Sequence, residues 1–516
     1  MSAKHIPISA APLGKAAALS IVVGIMLAMF LSALEQTIVA PALPAIGRAL
    51  QNVEGLSWVV TAYLLSATAA TPLFGKLSDI HGRRFMMMIS IGVFVVGSVA
   101  CALAPTIGAL ILARALQGFG GGGILPLAQT VIADLLPPRE RPLVMAYTSA
   151  MFLTASILGP VLGGILTDHL HWSLIFWINL PLGAAALVMT DRALRRLPRN
   201  ERPHRLDFIG AALMVSAAIA LLLALNWGGS RYAWTSWQLL SIIGGSLALW
   251  IAFGLRLLRA PEPFIPLTML KEPVVFGTVL AGFFSIGTII GLSIFIPLYI
   301  ELVLGRSASA AGLVLIAFTA GATLGSMAAG RLMVRMERYK RVPILAIPIA
   351  VAPLMGLAAF PAALSLWQVV ALLALTGAGI GPMYPATTVI IQNAVLPHQF
   401  GIATGSLNFF RTLGGAIIVA IFAAIVLGGF DAGGTPLTLE KLVHNASSGT
   451  EFAAPFRFVF IAGSLFLAAS LVAVAVIEER PLQGPLRHPV AATSPRMRGE
   501  GPPRTRSGVE SRQRSG

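Results

Sequence analysis

Fourteen stretches of mostly apolar residues punctuate this chain, at 18–41, 57–75, 86–104, 107–131, 144–167, 173–190, 207–226, 237–256, 274–300, 309–333, 343–363, 366–391, 402–428 and 456–477. Each approaches the roughly 20 residues a helix needs to cross a bilayer. Lipid offers no partner to a free backbone N–H or C=O, so such segments are satisfied only as helices. The expected fold is therefore an all-α polytopic membrane protein with 14 transmembrane helices. Composition excludes the soluble alternative: charged residues make up 11% of the 516, against about 25% in an ordinary soluble domain. The first stretch is too long for the core of a cleaved signal and contains Glu35, so it reads as an uncleaved span.

A formal net charge of +16 would suggest nucleic acid as a partner in a soluble protein. The placement of the charge gives a different reason for it. With both termini inside, the inner segments hold 29 of the 36 Lys and Arg residues and the outer loops hold 4 (Arg48, Arg231, Arg306 and Lys441). That asymmetry is the positive-inside signature of a multi-pass protein of the plasma (inner) membrane with cytoplasmic termini. The nucleic-acid reading falls away with it. The lone Cys101 cannot form an intrachain disulfide, and all eight histidines fall in loops or tails, so no intramembrane histidine is left to ligate haem or metal. No Gly-rich loop ending in Gly-Lys-Ser/Thr is present. Without a nucleotide-hydrolysing loop or a cofactor, energy must come from an ion gradient or from the substrate's own gradient.

The chain also repeats itself. Gly118, Gly120, Gly122, Pro126 and Pro138 recur as Gly377, Gly379, Gly381, Pro385 and Pro397, each displaced by 259 positions. This lays spans 4–5 over spans 12–13, as two six-span bundles would with two spans inserted between them. Parallel repeats of this kind are a transporter plan with the substrate site at the bundle interface. The competing reading is that Gly and Pro merely tune helix packing. The resulting division is an N-terminal segment 1–17, a first bundle 18–191, a basic linker 192–206, an insertion 207–256, a second linker 257–273, a second bundle 274–477 and a disordered basic tail 478–516.

Ionised side chains at mid-membrane cost roughly 2.5–3.5 kcal/mol each on insertion scales, so each calls for a reason. Glu35 continues a small-residue stripe of Gly24, Ala28 and Ser32 in span 1, a face suited to close helix contact inside the bundle. Arg114 is its basic counterpart in span 4. If span 1 ends near residue 41, the two lie at the same depth, roughly 9–10 Å below the outer surface, and can pair if their spans adjoin. Such a pair either alternates between states or statically fixes helix register. Asn408 and Arg411 on the inner half of span 13 either line a cavity or serve packing. Glu301, at the outer mouth of span 9, is either functional or a solvated helix end.

At these residues the sequence resembles the major facilitator superfamily, in particular its fourteen-span drug:proton antiporter branch (EmrB/QacA type), over residues 18–477. Gly75-Lys-Leu-Ser-Asp79-Ile-His-Gly82-Arg83-Arg84 is similar to the inner-loop motif that locks the halves in the outward-facing state, with Ile80 at a usual arginine. Arg114-Ala-Leu-Gln117-Gly118 resembles the motif whose arginine is implicated in proton transfer. Gly159-Pro160-Val-Leu-Gly163-Gly164 resembles the antiporter motif, in which glycines allow close packing and the proline bends the helix; Ala155 stands at its leading glycine. Leu34-Glu35-Gln36-Thr37 resembles the branch's span 1 signature, with Glu for the usual Asp. The segment ending Trp177-Ile-Asn179-Leu-Pro181-Leu-Gly183 resembles its approach to span 6, and Asn408-Phe-Phe-Arg411-Thr-Leu-Gly414-Gly415 its span 13 motif.

The resemblance implies a major facilitator fold (6+2+6) and alternating access around a central cavity. Glu35 and Arg114 would couple protons, the inner-loop residues would act as a latch, and spans 7 and 8 would lie outside the transport path. Gln36, Gln117, Glu301, Asn408 and Arg411 are the candidates to line the cavity or touch substrate. Burial favours the neutral form of Glu35 and Arg114 the charged one. Expected partners are a small, lipophilic or cationic substrate, protons and lipid, with no cofactor beyond the proton gradient. The chain would work as a monomer, with a periplasmic adaptor as the one accessory protein left open. A dedicated exporter of one metabolite (a siderophore, antibiotic or fatty acid) and a non-transporting sensor or scaffold are the alternatives. No nucleophile–base or metal constellation suggests an enzyme.

Overall fold

The computed structural model describes residues 15–52, 55–195, 206–228, 231–336, 338–428 and 452–482. Residues 1–14, most of the first linker, Lys441 and the tail beyond 482 lie outside the described residues. Fourteen described helices are long and apolar enough to cross a membrane. They are α1 (Lys15–Ala49), α2 (Leu56–His81), α3 (Arg83–Ala102), α4 (Ile107–Leu135), α5 (Arg141–His169), α6 (Leu174–Trp177, then Asn179–Leu194) and α7 (Phe208–Trp227). Then come α8 (Trp237–Arg259), α9 (Pro273–Leu302), α10 (Ala308–Arg335), α11 (Arg341–Ala359), α12 (Leu366–Ile380, then Met383–Ala394), α13 (Phe400–Gly428) and α14 (Ala453–Val476).

Local chemistry sets several of the starts. Thr106, Asp207, Ser236, Ser307 and Ser365 each accept a hydrogen bond from a first-turn N–H of α4, α7, α8, α10 and α12, satisfying donors that the helix itself cannot. Two departures from the sequence reading matter. Helix α1 does not end near residue 41 but runs through Pro41 and Pro44 to Ala49, because membrane helices re-satisfy the groups a proline frees. Glu35 therefore lies roughly 21 Å from the end of its helix, deeper than expected. The chain after residue 477, expected to be disordered, is held as far as Leu482. Glu479 accepts from Lys340 N (2.9 Å), and Arg480 donates to Glu272 (2.5 Å) and to the Ala394 carbonyl (3.2 Å).

The repeated glycines have equivalent neighbours in the two halves. A methyl group on Gly118 or Gly122 would meet the backbone of Tyr63 or Ala67 in α2, and one on Gly120 the backbone of Ser90 and Phe94 in α3. A methyl on Gly377 or Gly381 would meet Phe318 or Ala322 in α10, and one on Gly379 would meet Ala346 and Ala350 in α11. Helix α4 thus faces α2 and α3 as α12 faces α10 and α11, an offset of eight helices.

The basic side is the end that carries Lys76, Arg83, Arg84, Arg139 and Lys340. Toward the opposite side, α1–α6 and α9–α14 keep separate cores, one around Ile38, Val59, Leu110 and Phe176, the other around Leu292, Phe295, Tyr299 and Phe318. On the basic side the cores merge, with Phe74, Ile132 and Met145 joining Ala329, Met333 and Val389. Helices α7 and α8 lie over the seam between α2 and α13. There Ala218 and Leu222 cluster with Phe409 and Leu413, and Met214 and Phe253 with Ile402 and Leu407. Among the described residues, the α5–α10 seam on the far side has no such cover from α7 and α8.

Candidate functional site

Glu35 is fully buried in the first bundle, and Arg114 is 2% exposed. The small-residue stripe explains how it gets there: Gly24 lets α1 approach α6 at Met189, and Ala28 and Ser32 are buried with it. The Arg114 guanidinium forms an ion pair with the Glu35 carboxylate. It also donates to the Val59 carbonyl (3.0 Å) and to Gln117 Oε1 (2.6 Å), and lies 4.3 Å from the Tyr63 ring centroid. Asn179, at the first turn after the break in α6, donates to the other Glu35 oxygen (2.5 Å) and to Ser98 Oγ (3.2 Å). Gln117 donates to the same Ser98 Oγ (2.7 Å). A buried charge pair recovers its desolvation only when its remaining donors and acceptors are met, and this closed network largely meets them.

One expectation is corrected here. Gln117 does not line a cavity; it is fully buried beneath Arg114. Gln36 is exposed, as a cavity-lining residue would be, with its amide folded back onto the Ser32 carbonyl (3.2 Å).

The glycine motif of α5 bears directly on this acid. Thr37, two residues after Glu35, donates to the Ala155 carbonyl of α5 (2.9 Å). A methyl on Gly159 would strike the Thr37 side chain, and one on Gly163 the Ile38 carbonyl. Both glycines are therefore required by the closeness of α5 to the helical turn that carries Glu35. Pro160 is exposed, and Gly164, expected in the same packing, faces open space with nothing within 4 Å of an added methyl.

The inner-loop motif joins the two halves on the basic side. Gly75 packs against the backbone of Gly401 and Gly405 in α13. The Asp79 carboxylate accepts from Gly401 N (3.0 Å) and Ile402 N (2.8 Å), two first-turn donors of α13, where free N–H groups and the helix dipole both favour an anion. Arg83 pairs with Asp79 and with Asp134 (2.9 Å) and reaches the Pro397 carbonyl (3.4 Å). Gly82, with φ of 89°, makes the left-handed step that turns α2 into α3. Arg84 is not part of this latch: it pairs with Asp191 of α6 (2.6 Å), within its own half. Ile80, at the usual arginine, is buried, and no described contact replaces that arginine.

These motifs occur in this order on fourteen helices, and residues 25–419 match the Major Facilitator Superfamily. The chain belongs to this superfamily. It is a multi-pass membrane transporter, not an enzyme. Multidrug resistance protein 3 of Bacillus subtilis is 32% identical over 405 residues, covering 78% of this chain and 79% of that one. The multidrug transporter protein MdtP of the same organism is 30% identical over 465 residues, covering 89% and 85%. Among solved structures, a bacterial homologue of the iron transporter ferroportin in an outward-facing state overlays with a TM-score of 0.62 at 11% identity, over 89% of this chain and 99% of that one. The human organic anion transporter MFSD10 gives 0.60 at 18% identity, over 87% and 99%. These two likenesses establish the fold.

In this superfamily member a polar layer also crosses the interface, and the sequence reading missed most of it. Gln129 of α4 donates to the Tyr384 hydroxyl of α12 (2.8 Å), and its Oε1 accepts from Asn408 of α13 (2.6 Å). Ser149 and Ser326 meet across the α5–α10 seam at 2.8 Å. Asn408 and Arg411 are buried, whereas Glu301 is half-buried at the last turn of α9. Asn179, Ser98, Asp134, Asp191, Gln129 and Tyr384 were not singled out as site residues. Asn179 could have been, as the polar residue within the span 6 motif. Gln129 carries no comparable signal, because a lone glutamine in an apolar run does not say which helix it faces.

Proposed function

We infer that this transporter exports small lipophilic or cationic molecules from the cytoplasm in exchange for protons. The positive-inside rule makes the basic side cytoplasmic, so the described state is shut toward the cytoplasm. The observation that carries the reading is the buried carboxylate of Glu35, ion-paired with Arg114 and bonded to Asn179. A proton arriving from outside neutralises that carboxylate and removes the charge–charge attraction between α1 and α4. Arg114 retains the Val59 carbonyl and Gln117 as partners. Because Gly159 and Gly163 seat α5 on the same turn of α1, a shift of that turn reaches the α5–α10 seam, where Ser149 and Ser326 touch.

The latch then opens and α13 separates from α2, exposing the interface to the cytoplasm. Substrate enters, the proton leaves, and the pair re-forms. One proton crossing about 100 mV supplies roughly 2.3 kcal/mol, and each pH unit adds about 1.4, enough for a few-hundredfold gradient of a neutral cargo. The names of the two Bacillus relatives, one for multidrug resistance and one for multidrug transport, support efflux as the direction and drugs as the cargo.

The test is substrate-driven proton release from proteoliposomes. Exchange should be present in the native chain and lost in Glu35→Gln. Undiminished exchange in that variant would remove Glu35 as the proton carrier.

A further inference from the structure

Among the described residues, two guanidinium groups are buried well within the membrane-spanning helices, and they are treated differently. Arg114 has a carboxylate. Arg411 has none among the described residues, although it is 2% exposed. It lies eleven residues into α13, roughly 16 Å along a helix about 43 Å long, so it is near the middle of the membrane. Its partners are all neutral: Asn408 Oδ1 (3.1 Å), the Tyr384 carbonyl (3.0 Å), Thr387 Oγ1 (2.5 Å) and Thr388 Oγ1 (3.0 Å), with the Tyr384 ring 4.6 Å away. Its Nε–H has no acceptor among the described residues. Neutral acceptors soften the burial of a cation but leave its charge uncompensated. A static packing role would be served as well by an uncharged residue.

The groups that cap this charge are also the groups that close the interface. Asn408 and Tyr384 hold Arg411 on one side and Gln129 of the other bundle on the other. When the bundles part on the basic side, Gln129 leaves with α4, and the cap over the guanidinium loses its anchor. The charge is thereby covered while that side is shut and uncovered when it opens.

We propose that Arg411 is the seat for an anionic group of the cargo, a carboxylate on a lipophilic acid or zwitterion, gripped by the N–H donors of its guanidinium. A planar fork of N–H donors matches a carboxylate in both geometry and charge. The seat accepts the acid from the basic side, and return of Gln129 restores the neutral cap and displaces it toward the other. This rests on the export reading above and narrows its cargo. A purely cationic molecule gains nothing from Arg411, whereas an amphiphile bearing an acid does.

The experiment uses the full chain in nanodiscs and two probes with the same apolar body, pyrenebutyrate and pyrenebutanol. Binding is read by energy transfer from tryptophan, with empty nanodiscs subtracted. The native chain should prefer the acid. Arg411→Gln should lower the acid-to-alcohol affinity ratio by about tenfold or more, the factor that about 1.4 kcal/mol represents, and Arg411→Lys should recover part of it. Asp79→Asn, which frees the basic side, should raise affinity for pyrenebutyrate, and should not do so when Arg411→Gln is added. An equal loss of both probes in Arg411→Gln would make the residue structural and overturn the proposal, as would a native chain without preference for the acid. Loss of the preference when chloride replaces gluconate would assign the seat to a halide and overturn it too. Binding at equilibrium needs no gradient, so these outcomes are independent of whether Glu35 carries the proton.

Discussion

Replacing Asp79 by Asn removes the charge at the junction of α2, α3 and α13 while keeping the side chain's size. In the native chain its carboxylate accepts two N–H bonds from the start of α13, at 3.0 and 2.8 Å, and pairs with Arg83. Hydrogen bonds to a charged partner contribute about 1.5–3 kcal/mol each, and the carboxylate side chain is only 7% exposed, so solvent screening reduces this little. An amide retains one oxygen and turns an N–H toward the other donor. Arg83 keeps Asp134 at 2.9 Å, which limits the loss. The net cost to the basic-side-closed state is about 2–4 kcal/mol, which multiplies the open-to-closed ratio by roughly 30 to 900.

The native sequence has a single cysteine, Cys101, so a Cys101→Ala chain can report one introduced thiol. Ser326→Cys places that thiol at a fully buried position on the α5–α10 seam, against Ser149. Its labelling by an impermeant maleimide from the basic side should accelerate at least thirtyfold in Asp79→Asn. Arg84→Ala, which breaks only the pairing with Asp191, should produce no comparable acceleration. An unchanged rate in Asp79→Asn, or faster labelling from the opposite side, would refute the assignment of Asp79 as the bond that keeps this side shut.

Two further outcomes follow from the packing. Gly122→Ala and Gly381→Ala each drive a methyl into a facing backbone, an overpacking cost of about 1–3 kcal/mol; both should lower the thermal midpoint in detergent by similar amounts, while Gly164→Ala, with open space around it, should leave it unchanged or slightly raised. Asn179→Leu takes one donor from the ionised Glu35 and one from Ser98, weakening the charged state by about 1.5–3 kcal/mol. Substrate-driven proton release should slow roughly ten- to a hundredfold, and a native rate in that variant would show that Asn179 does not support the carboxylate.

The insertion α7–α8 gives the molecule an asymmetry between its two seams. Leu222 of α7 clusters with Leu413 of α13, and the Trp250 ring of α8 lies 6.3 Å from that of Phe409, so these helices lie against the element the latch holds. Movement of α13 away from α2 must therefore carry α7 along or slide past it. The α5–α10 side carries no such passenger.

Much of this was legible in the chain alone because bilayer physics is local. Apolar length compels helices, basic loops orient them, and a titratable group within a span is costly enough to stand out by itself. Those rules give fourteen helices, Glu35 and Arg114 without reference to any neighbour, whereas the Asp79 latch was legible only through the resemblance of its motif to a family's inner loop. Glycine spacing alone hinted at the two-fold plan, and contact between α4 and α2–α3 and between α12 and α10–α11 gave it physical meaning. What the sequence could not decide was partnership across helices. Nothing in the order of residues says that Asn179 completes the acid's shell, that Arg84 pairs inside its own half, that Gln117 lies under Arg114 away from any cavity, or that Gln129 covers the cap of Arg411. Each depends on the rotation and depth of two helices far apart in the chain, which burial of side chains over the whole assembly sets; even the depth of Glu35 changed once α1 was seen to continue through two prolines.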